Sequence, residues 1–265
     1  MFNYSVIFLY SYIRTNSYFE VMEWFRSWFD SPYYHILYGK RNDDEAKFFI
    51  DNLLKHFLFS AKTKILDAGC GRGRHSVYLN QKGFDVTGFD LSKSNIEHNK
   101  KAECGTLRFF VHDIRNVFRE NYFHCVLNLF SSFGYFENEN ENIEAVQSLS
   151  KALHPGGLLI IDFMNAAYAK KNLSGEETIK IRNIVFRISR KIDEDKIIKN
   201  IEVEDGRSKM QFMEKVMMLS QNDFENYFAG AGLKIKSVFG NYNLEPFDLE
   251  TSPRLILAAE KNMQP

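Results

Sequence analysis

The chain has 265 residues, 45 % of them hydrophobic, which excludes an intrinsically disordered protein and suits one large α/β domain. Lys plus Arg and Asp plus Glu each number 34, so the formal net charge is zero. A nucleic-acid-binding domain usually carries a basic surplus, so we expect no nucleic-acid partner.

The three cysteines, Cys70, Cys104 and Cys125, lack the spacing of a zinc site or a disulfide framework, so no metal is predicted. Free cysteines are typical of a reducing compartment, which favours a cytoplasmic location. No apolar run reaches the roughly 18 residues that a transmembrane helix needs, so no membrane association is expected.

Residues 1–21 are interpreted as a dispensable N-terminal extension, with Met22 as an alternative start. The apolar stretch Val6–Ile13 is short and no Lys or Arg precedes it, which argues against a secretory signal. Residues 22–265 are then expected to form a single domain, in which 22–60 make an N-terminal lid and helix region. The intact mass of the native protein checks the start site.

Strand and helix signals alternate in the middle of the chain, which predicts a parallel sheet with crossover helices. Strands are predicted over 64–68, 84–90, 106–113, 123–130 and 158–165, and helices over 43–59, 75–83, 91–103 and 141–157. Within 168–218, three strand-like pieces follow one another without helices, which predicts an antiparallel β insertion. A helix over 220–232 and strands over 233–240 and 254–261 are expected to close the domain.

The stretch DAGCGRG, Asp67 to Gly73, follows the first predicted strand and precedes a helix. Glycines there permit positive φ, and a helix N-terminus offers free N–H groups to a ligand. This pattern alone is weak evidence, because it fits a pyrophosphate, a carboxylate or a simple tight turn.

Three acids sit at the ends of consecutive strands: Asp67, Asp90 and Asp113. Ligands of open α/β sheets bind outside these carboxyl ends, and an acid after the second strand suits a ribose diol. Asp67 beside a pyrophosphate would be repulsive, so a cationic ligand is favoured. Each acid has an alternative interpretation: Asp67 and Asp90 as helix-start residues, and Asp113 as a turn residue.

On these residues the chain resembles the class I S-adenosylmethionine-dependent methyltransferases that act on small molecules. The motifs that carry the resemblance are ILDAGCGRGRHS, VTGFDLS, FVHDIRN, HCVLNLFSSFGYF and LHPGGLLIIDF. The resemblance implies a Rossmann-like, seven-stranded, mostly parallel sheet in the order 3-2-1-4-5-7-6, with strand 7 antiparallel and the β insertion after strand 5.

The resemblance also implies S-adenosylmethionine as the cofactor, with its methionine part on the glycine turn. Asp90 is then expected at the ribose and Asp113 at the adenine, while the end of the fourth strand lies beside the reacting methyl group. The cofactor-binding residues implied are Asp67, Ala68, Gly69, Cys70, Gly71, Asp90, Leu91, Asp113, Ile114, Asn128, Leu129 and Phe130.

The predicted reaction is in-line transfer of a methyl group to a small-molecule acceptor. The fourth strand lacks the Asp/Asn-Pro-Pro-aromatic motif of amino-methylating nucleic-acid enzymes, which agrees with the neutral charge. Weak catalytic candidates are Tyr34, His35 and Tyr135, whose alternative is packing at the sheet edge. Two other functions stay open, an NAD-type oxidoreductase and a non-catalytic cofactor-binding module. We expect a monomer or a homodimer, with the β insertion as a substrate cover or a subunit contact.

Overall fold

The computed structural model describes residues 24–39 and 43–263, so the predicted extension 1–21 lies outside the described residues. Three helices precede the sheet: α1 (Trp24–Phe29), α2 (Pro32–Tyr38) and α3 (Asp43–Phe57). We call α1 and α2 the lid helices. The Ser31 hydroxyl accepts a hydrogen bond from the Tyr33 N–H and Pro32 occupies the first turn, so α2 begins with a favourable cap.

A seven-stranded sheet forms the centre of the molecule, in the order β10-β11-β5-β4-β1-β2-β3. Strand β11 is antiparallel to both of its neighbours, and the remaining pairs are parallel. This confirms the predicted fold class and strand order. The strands are β1 (Lys64–Ala68), β2 (Asp85–Asp90), β3 (Leu107–Val111), β4 (Phe123–Asn128), β5 (Leu153–Met164), β10 (Leu233–Phe239) and β11 (Arg254–Lys261).

Helices connect the strands and cover the sheet. They are α4 (Arg74–Gln81), α5 (Lys93–Asn99) followed by a 3₁₀ turn (Lys100–Ala102), α6 (Glu139–Ala152), α7 (Ala166–Lys171) and α8 (Gln221–Gly230). Two capping boxes, at Asn138 and Ser220, start α6 and α8. Within the described ranges, no helix has the length and apolar content needed to cross a bilayer.

A second, antiparallel sheet follows β5 in the chain, as predicted. It has four strands in sequential order: β6 (Glu176–Ile181), β7 (Ile184–Asp193), β8 (Lys196–Asp205) and β9 (Ser208–Met217). The sequence predicted three pieces because 178–191 reads as one strand. The chain turns inside that piece at Arg182, whose φ is +56°, and this separates β6 from β7.

Three strand boundaries differ from the prediction by two residues or more. Strand β3 ends at Val111, so Asp113 lies two residues beyond it. Strand β4 ends at Asn128, because Phe130 and Ser131 both take left-handed φ values of +57° and +58°. Strand β5 starts at Leu153 instead of 158, because Leu153 already pairs with Phe123 of β4.

The apolar face of the second sheet is covered by the lid helices. Trp24, Trp28 and Leu37 from these helices pack against buried strand residues that include Phe186 and Val203. The sequence alone left this apolar surface available for contact between subunits. In the structure it is used within the chain.

Candidate active site

A first cleft opens at the carboxyl ends of β1, β2 and β3, beneath the lid helices. Predicted residues line it from the sheet side, and aromatic side chains line it from the lid side. Its walls include Gly69, Gly71, Asp90, Leu91, Asp113, Ile114, Phe130, Phe29, Tyr34 and Tyr135.

The glycine turn is held from behind by the neighbouring strand. The N–H groups of Gly69 and Cys70 both donate to the Phe89 carbonyl, at 2.8 and 2.9 Å. Gly69 has φ +74°, and a Cβ there would lie 2.8 Å from the Ser132 Cβ, so no side chain fits. Gly73 caps α4 without a side-chain bond, which leaves backbone donors of the helix start available to a ligand.

Asp67 is buried in the core beneath the glycine turn and does not line the first cleft. Its carboxylate is 1 % exposed and accepts a hydrogen bond of 2.5 Å from the Ser76 hydroxyl in the first turn of α4. Burial raises the pKa of Asp67 to about 6, against the lowering effect of Ser76. The geometry is that of the helix-start alternative, and the preference for a cationic ligand therefore cannot rest on Asp67.

Asp90 is held at the mouth of the cleft by two backbone donors. Gly71 N–H donates to its Oδ2 at 2.8 Å, and Ser92 N–H donates to its Oδ1 at 2.9 Å. Burial raises the pKa of Asp90, and these bonds oppose the rise. Asn95 Nδ2 also donates to Oδ1, at 3.5 Å. A carboxylate oxygen accepts two hydrogen bonds, so Oδ2 keeps room for a ligand hydroxyl.

Asn95, in α5, also lines the first cleft and was missed by sequence reasoning. It is 3 % exposed, and its Oδ1 atom has no hydrogen-bond partner among the described residues. A buried amide oxygen without a partner is unfavourable, so a ligand hydroxyl or amine would relieve the cost. The available signal was its position, in the first turn of α5 and five residues after Asp90. With Asp90 and the glycine turn, this donor and acceptor set fits an adenosyl cofactor.

Asp113 is engaged by its neighbour Arg115. The Arg115 Nε atom donates to Oδ1 at 3.0 Å and Nη2 donates to Oδ2 at 2.6 Å. Burial acts to raise the pKa of Asp113, but the contacts with Arg115 lower it overall. The carboxylate stays ionised while facing the cleft, and its contact with an adenine remains a prediction.

Four more of the predicted residues support the turn from inside the core and do not line the cleft: Ala68, Cys70, Asn128 and Leu129. The Asn128 amide donates to the Ala68 carbonyl at 2.8 Å and to the Ser132 carbonyl at 3.2 Å. These bonds tie the end of β4 to the end of β1. Burial raises the pKa of the Cys70 thiol well above its usual range, so the thiol is unreactive.

A second cleft adjoins the first and is bounded by the lid helices, β9 and the segment after β10. Sequence reasoning named Tyr34 and Tyr135 among its lining residues. It did not name the polar residues that distant parts of the chain contribute: Glu45, Glu214, Asn241, Tyr242 and Arg254. Four aromatic side chains line both clefts, and we call them the aromatic wall: Phe29, Tyr34, Phe130 and Tyr135.

The lid helices are fastened to both sides of these clefts. Trp28 Nε1 and the Tyr38 hydroxyl donate to Glu214 Oε1 of β9, at 2.7 and 2.6 Å. On the other side, the Asp30 carboxylate accepts hydrogen bonds from Ser92, directly after β2, and at 2.8 Å from the Ser94 hydroxyl. The lid helices therefore bridge the two sheets.

The three catalytic candidates fall in different places. Tyr34 and Tyr135 belong to the aromatic wall, whereas His35 lines neither cleft. Burial, with a contribution from the positive charge of Arg72, lowers the pKa of His35 to about 4. The His35 imidazole is therefore neutral at neutral pH, and it is not among the residues that line the second cleft.

The strand order of the central sheet is that of the class I methyltransferase fold. Residues 65–157 match the family model described as a methyltransferase domain. A crystal structure of an S-adenosylmethionine-dependent methyltransferase from Clostridium acetobutylicum superposes with a TM-score of 0.74 at 16 % identity, over 87 % of this chain and 96 % of that one.

Two curated relatives are also methyltransferases. A putative methyltransferase, YqeM from Bacillus subtilis, is 34 % identical over 38 % of this chain and 42 % of its own length. The dTDP-3-amino-3,4,6-trideoxy-alpha-D-glucopyranose N,N-dimethyltransferase of Streptomyces venezuelae is 26 % identical over 67 % of this chain and 78 % of its own length. The match thus spans less than half of the first relative and most of the second.

Residues 65–157 therefore match a methyltransferase domain, and the chain has the fold of an S-adenosylmethionine-dependent methyltransferase. This confirms the resemblance drawn from the five motifs. The comparisons lend no support to the oxidoreductase or to the non-catalytic module.

Proposed function

We propose that this chain transfers a methyl group from S-adenosylmethionine, held in the first cleft, to a small molecule held in the second. The observation that supports this most directly is the aromatic wall, whose four side chains line both clefts. A donor in one cleft and an acceptor in the other would meet at this wall.

When bound, S-adenosylmethionine supplies a sulfonium methyl group and leaves as a neutral thioether. Such a displacement depends mainly on alignment and on the exclusion of water. The aromatic wall supplies both, since Phe29 packs on Tyr34 and Tyr135 with ring centroids 5.0 and 5.2 Å away. Tyr34 and Tyr135 are thus proposed to position the reactants, and His35 is given no role in proton transfer.

The polar lining of the second cleft supports a small polar acceptor. Glu214 is held by Trp28 and Tyr38, which leaves its carboxylate oriented on the cleft wall. The relative from Streptomyces venezuelae is named for a small amino-sugar nucleotide, which agrees with an acceptor of this general kind. No nucleic-acid partner is proposed, in keeping with the zero net charge.

The proposal includes three further predictions, on domain organisation, cellular location and oligomeric state. Residues 22–265 are proposed to form a single domain, with 168–218 as an insertion. A cytoplasmic location is supported by Cys70, Cys104 and Cys125, which are free thiols in the structure. A monomer is favoured over a homodimer, because the lid helices cover the apolar face of the second sheet.

The test is methyl transfer itself. The protein is incubated with S-adenosylmethionine labelled in the methyl group and with a cell extract, which is then separated into small molecules, protein and nucleic acid. The proposal expects label in one or a few small molecules. Label confined to protein or nucleic acid, or no label above a boiled-enzyme blank, would contradict it.

A further inference from the structure

The turn that carries Phe130 of the aromatic wall has an unfavourable backbone. Phe130 and Ser131 are consecutive non-glycine residues with φ values of +57° and +58°. Side-chain crowding disfavours this left-handed region, and such conformations persist only where surrounding contacts impose them. The contacts that impose this one identify a function for residues outside the predicted site.

One buried acid on β5 holds both residues of the turn. Asp162 is 0 % exposed, and its Oδ2 accepts the Phe130 N–H at 2.9 Å. Its main-chain carbonyl accepts the Ser131 N–H, also at 2.9 Å. The two amides are thereby fixed from the neighbouring strand.

Arg254, at the start of β11, completes the support. Its Nε atom donates to Asp162 Oδ1 at 2.7 Å, and its Nη2 atom donates to the Ser131 hydroxyl oxygen at 2.9 Å. A planar guanidinium makes two such bonds in fixed directions, which a lysine ammonium on a flexible stem does not reproduce. Asp162 and Arg254 therefore constrain the turn through its amides and through a side chain.

The Phe130 ring that this turn presents is packed from several sides. The Tyr242 ring stacks on it at 5.2 Å with an angle of 29°, and the Arg74 guanidinium lies 4.2 Å from its centroid. The Tyr242 hydroxyl in turn donates to Asp162 Oδ2 at 3.3 Å. The Asp162 carboxylate thus holds the backbone of the turn directly and contacts the Phe130 ring through Tyr242.

We propose that Asp162 is a positioning residue for methyl transfer: with Arg254 it imposes the left-handed Phe130–Ser131 turn and so fixes the Phe130 ring between the two clefts. Asp162 is buried and lines neither cleft, so it acts through Phe130. The inference rests on the proposed function, because the clefts matter together only if a group passes between them.

The experiment compares Asp162→Asn and Arg254→Lys with the wild type and with Asp85→Asn. Asp85 is the matched control, because it forms an Asp–Arg pair with Arg108 at 2.9 Å at the amino end of β2, away from the site. Steady-state kinetics use the small-molecule acceptor found in the labelling test, and calorimetry with S-adenosylhomocysteine measures the donor site. Thermal unfolding and circular dichroism establish that each variant is folded.

If the Phe130 ring is displaced within the aromatic wall, the rate of methyl transfer should fall, while the affinity of the first cleft for S-adenosylhomocysteine should stay the same. We expect Asp162→Asn to lower kcat about 100-fold with KM and the S-adenosylhomocysteine Kd within about threefold of wild type. Arg254→Lys keeps the positive charge but loses the two hydrogen bonds that the planar guanidinium makes in fixed directions. It is expected to lower kcat about tenfold. Adding Ser131→Gly to Asp162→Asn should restore part of kcat, because glycine takes positive φ without strain. A merely structural acid would show neither the kcat-specific loss nor this rescue.

The outcomes separate the two proposals. If the wild type transfers methyl groups and Asp162→Asn keeps the kcat of Asp85→Asn, the inference fails and the proposed function stands. If Asp162→Asn does not fold, a kcat of Arg254→Lys equal to that of the control overturns the inference in the same way. If the wild type binds S-adenosylhomocysteine but methylates no small molecule, the proposed function fails and the inference fails with it.

Discussion

Asp67 is a buried acid whose ionisation disfavours the folded state at neutral pH. Its folded pKa of about 6 lies above the unfolded value, so the native state binds more protons between these values. This contribution to stability is full below about pH 4 and is lost as the pH rises through about 6. Asp67→Asn removes the titrating group. The free energy of unfolding of the variant, relative to that of wild type, should therefore rise by about 2 kcal/mol from pH 4.5 to pH 7.

Urea unfolding at the two pH values measures this difference. Ser150→Ala serves as the control, because it removes a buried hydrogen bond to the Ala231 carbonyl but no titrating group. Its difference from wild type should be the same at both pH values. If the difference in unfolding free energy between Asp67→Asn and wild type is also the same at both pH values, burial does not raise the Asp67 pKa.

Asn95 gives a prediction with effects of opposite sign on stability and binding. Because its Oδ1 is buried without a partner among the described residues, Asn95→Leu should stabilise the ligand-free protein. The same change removes an acceptor from the first cleft, so S-adenosylhomocysteine should bind about tenfold more weakly. Thermal unfolding and calorimetry measure the two effects.

Asn142→Leu is the matched control, since Asn142 is 0 % exposed and its Oδ1 likewise has no partner within the described ranges. Asn142 lies in α6 and does not line the first cleft. The control should change stability and leave the binding constant alone. Equal binding losses in both variants would remove Asn95 from the ligand site.

The lid helices depend on Asp30 for their contact with the loop and helix that follow β2. Asp30→Ala removes the hydrogen bonds from Ser92 and Ser94 but leaves the bonds of Trp28 and Tyr38 to Glu214. Amide exchange across residues 24–39 should then accelerate about tenfold, and bound S-adenosylhomocysteine should protect this segment less. Hydrogen–deuterium exchange measures both.

Asp205→Ala is the comparison for the opposite side of the lid, because it removes the Tyr33 hydroxyl bond of 3.1 Å to β8. It should loosen α2 without changing the protection by ligand. If Asp30→Ala exchanges like wild type, the contact with α5 does not hold the lid helices in place.

Elements whose signals are local were predictable from sequence, and elements defined by distant contacts were not. Strand β1 and the Ser92 cap of α5 were correct because each rests on neighbouring residues. The short helices α1, α2 and α7 were missed, since they are six or seven residues long. The Asp162–Arg254 pair left no local signal, because 92 residues separate its members.

The whole molecule is predicted to be a monomer. The apolar face of the second sheet packs on Trp24, Trp28 and Leu37 of the same chain, so it is not available to a second copy. Sedimentation velocity at micromolar concentration should give one species near the chain mass of 31.0 kDa. A stable species of twice that mass would show that another surface joins two copies.

The order of the strands came from the resemblance and not from periodicity, and the structure agrees with it. The location of the second cleft came only from the structure. Its lining gathers Glu45, Glu214 and Arg254 from separate elements, and a single sequence carries no sign that they converge. The lining of the first cleft was therefore largely predictable, whereas that of the second cleft was not.

S-adenosylmethionine is proposed to bind in the first cleft, with Asp90 as one of the residues that bind it. Calorimetric titration of wild type and Asp90→Ala with S-adenosylhomocysteine, and of both with NAD, tests it most directly. We predict micromolar binding of S-adenosylhomocysteine, weakened about 100-fold in Asp90→Ala, and no binding of NAD. Binding of NAD without S-adenosylhomocysteine, or equal affinity in the two proteins, would contradict the account.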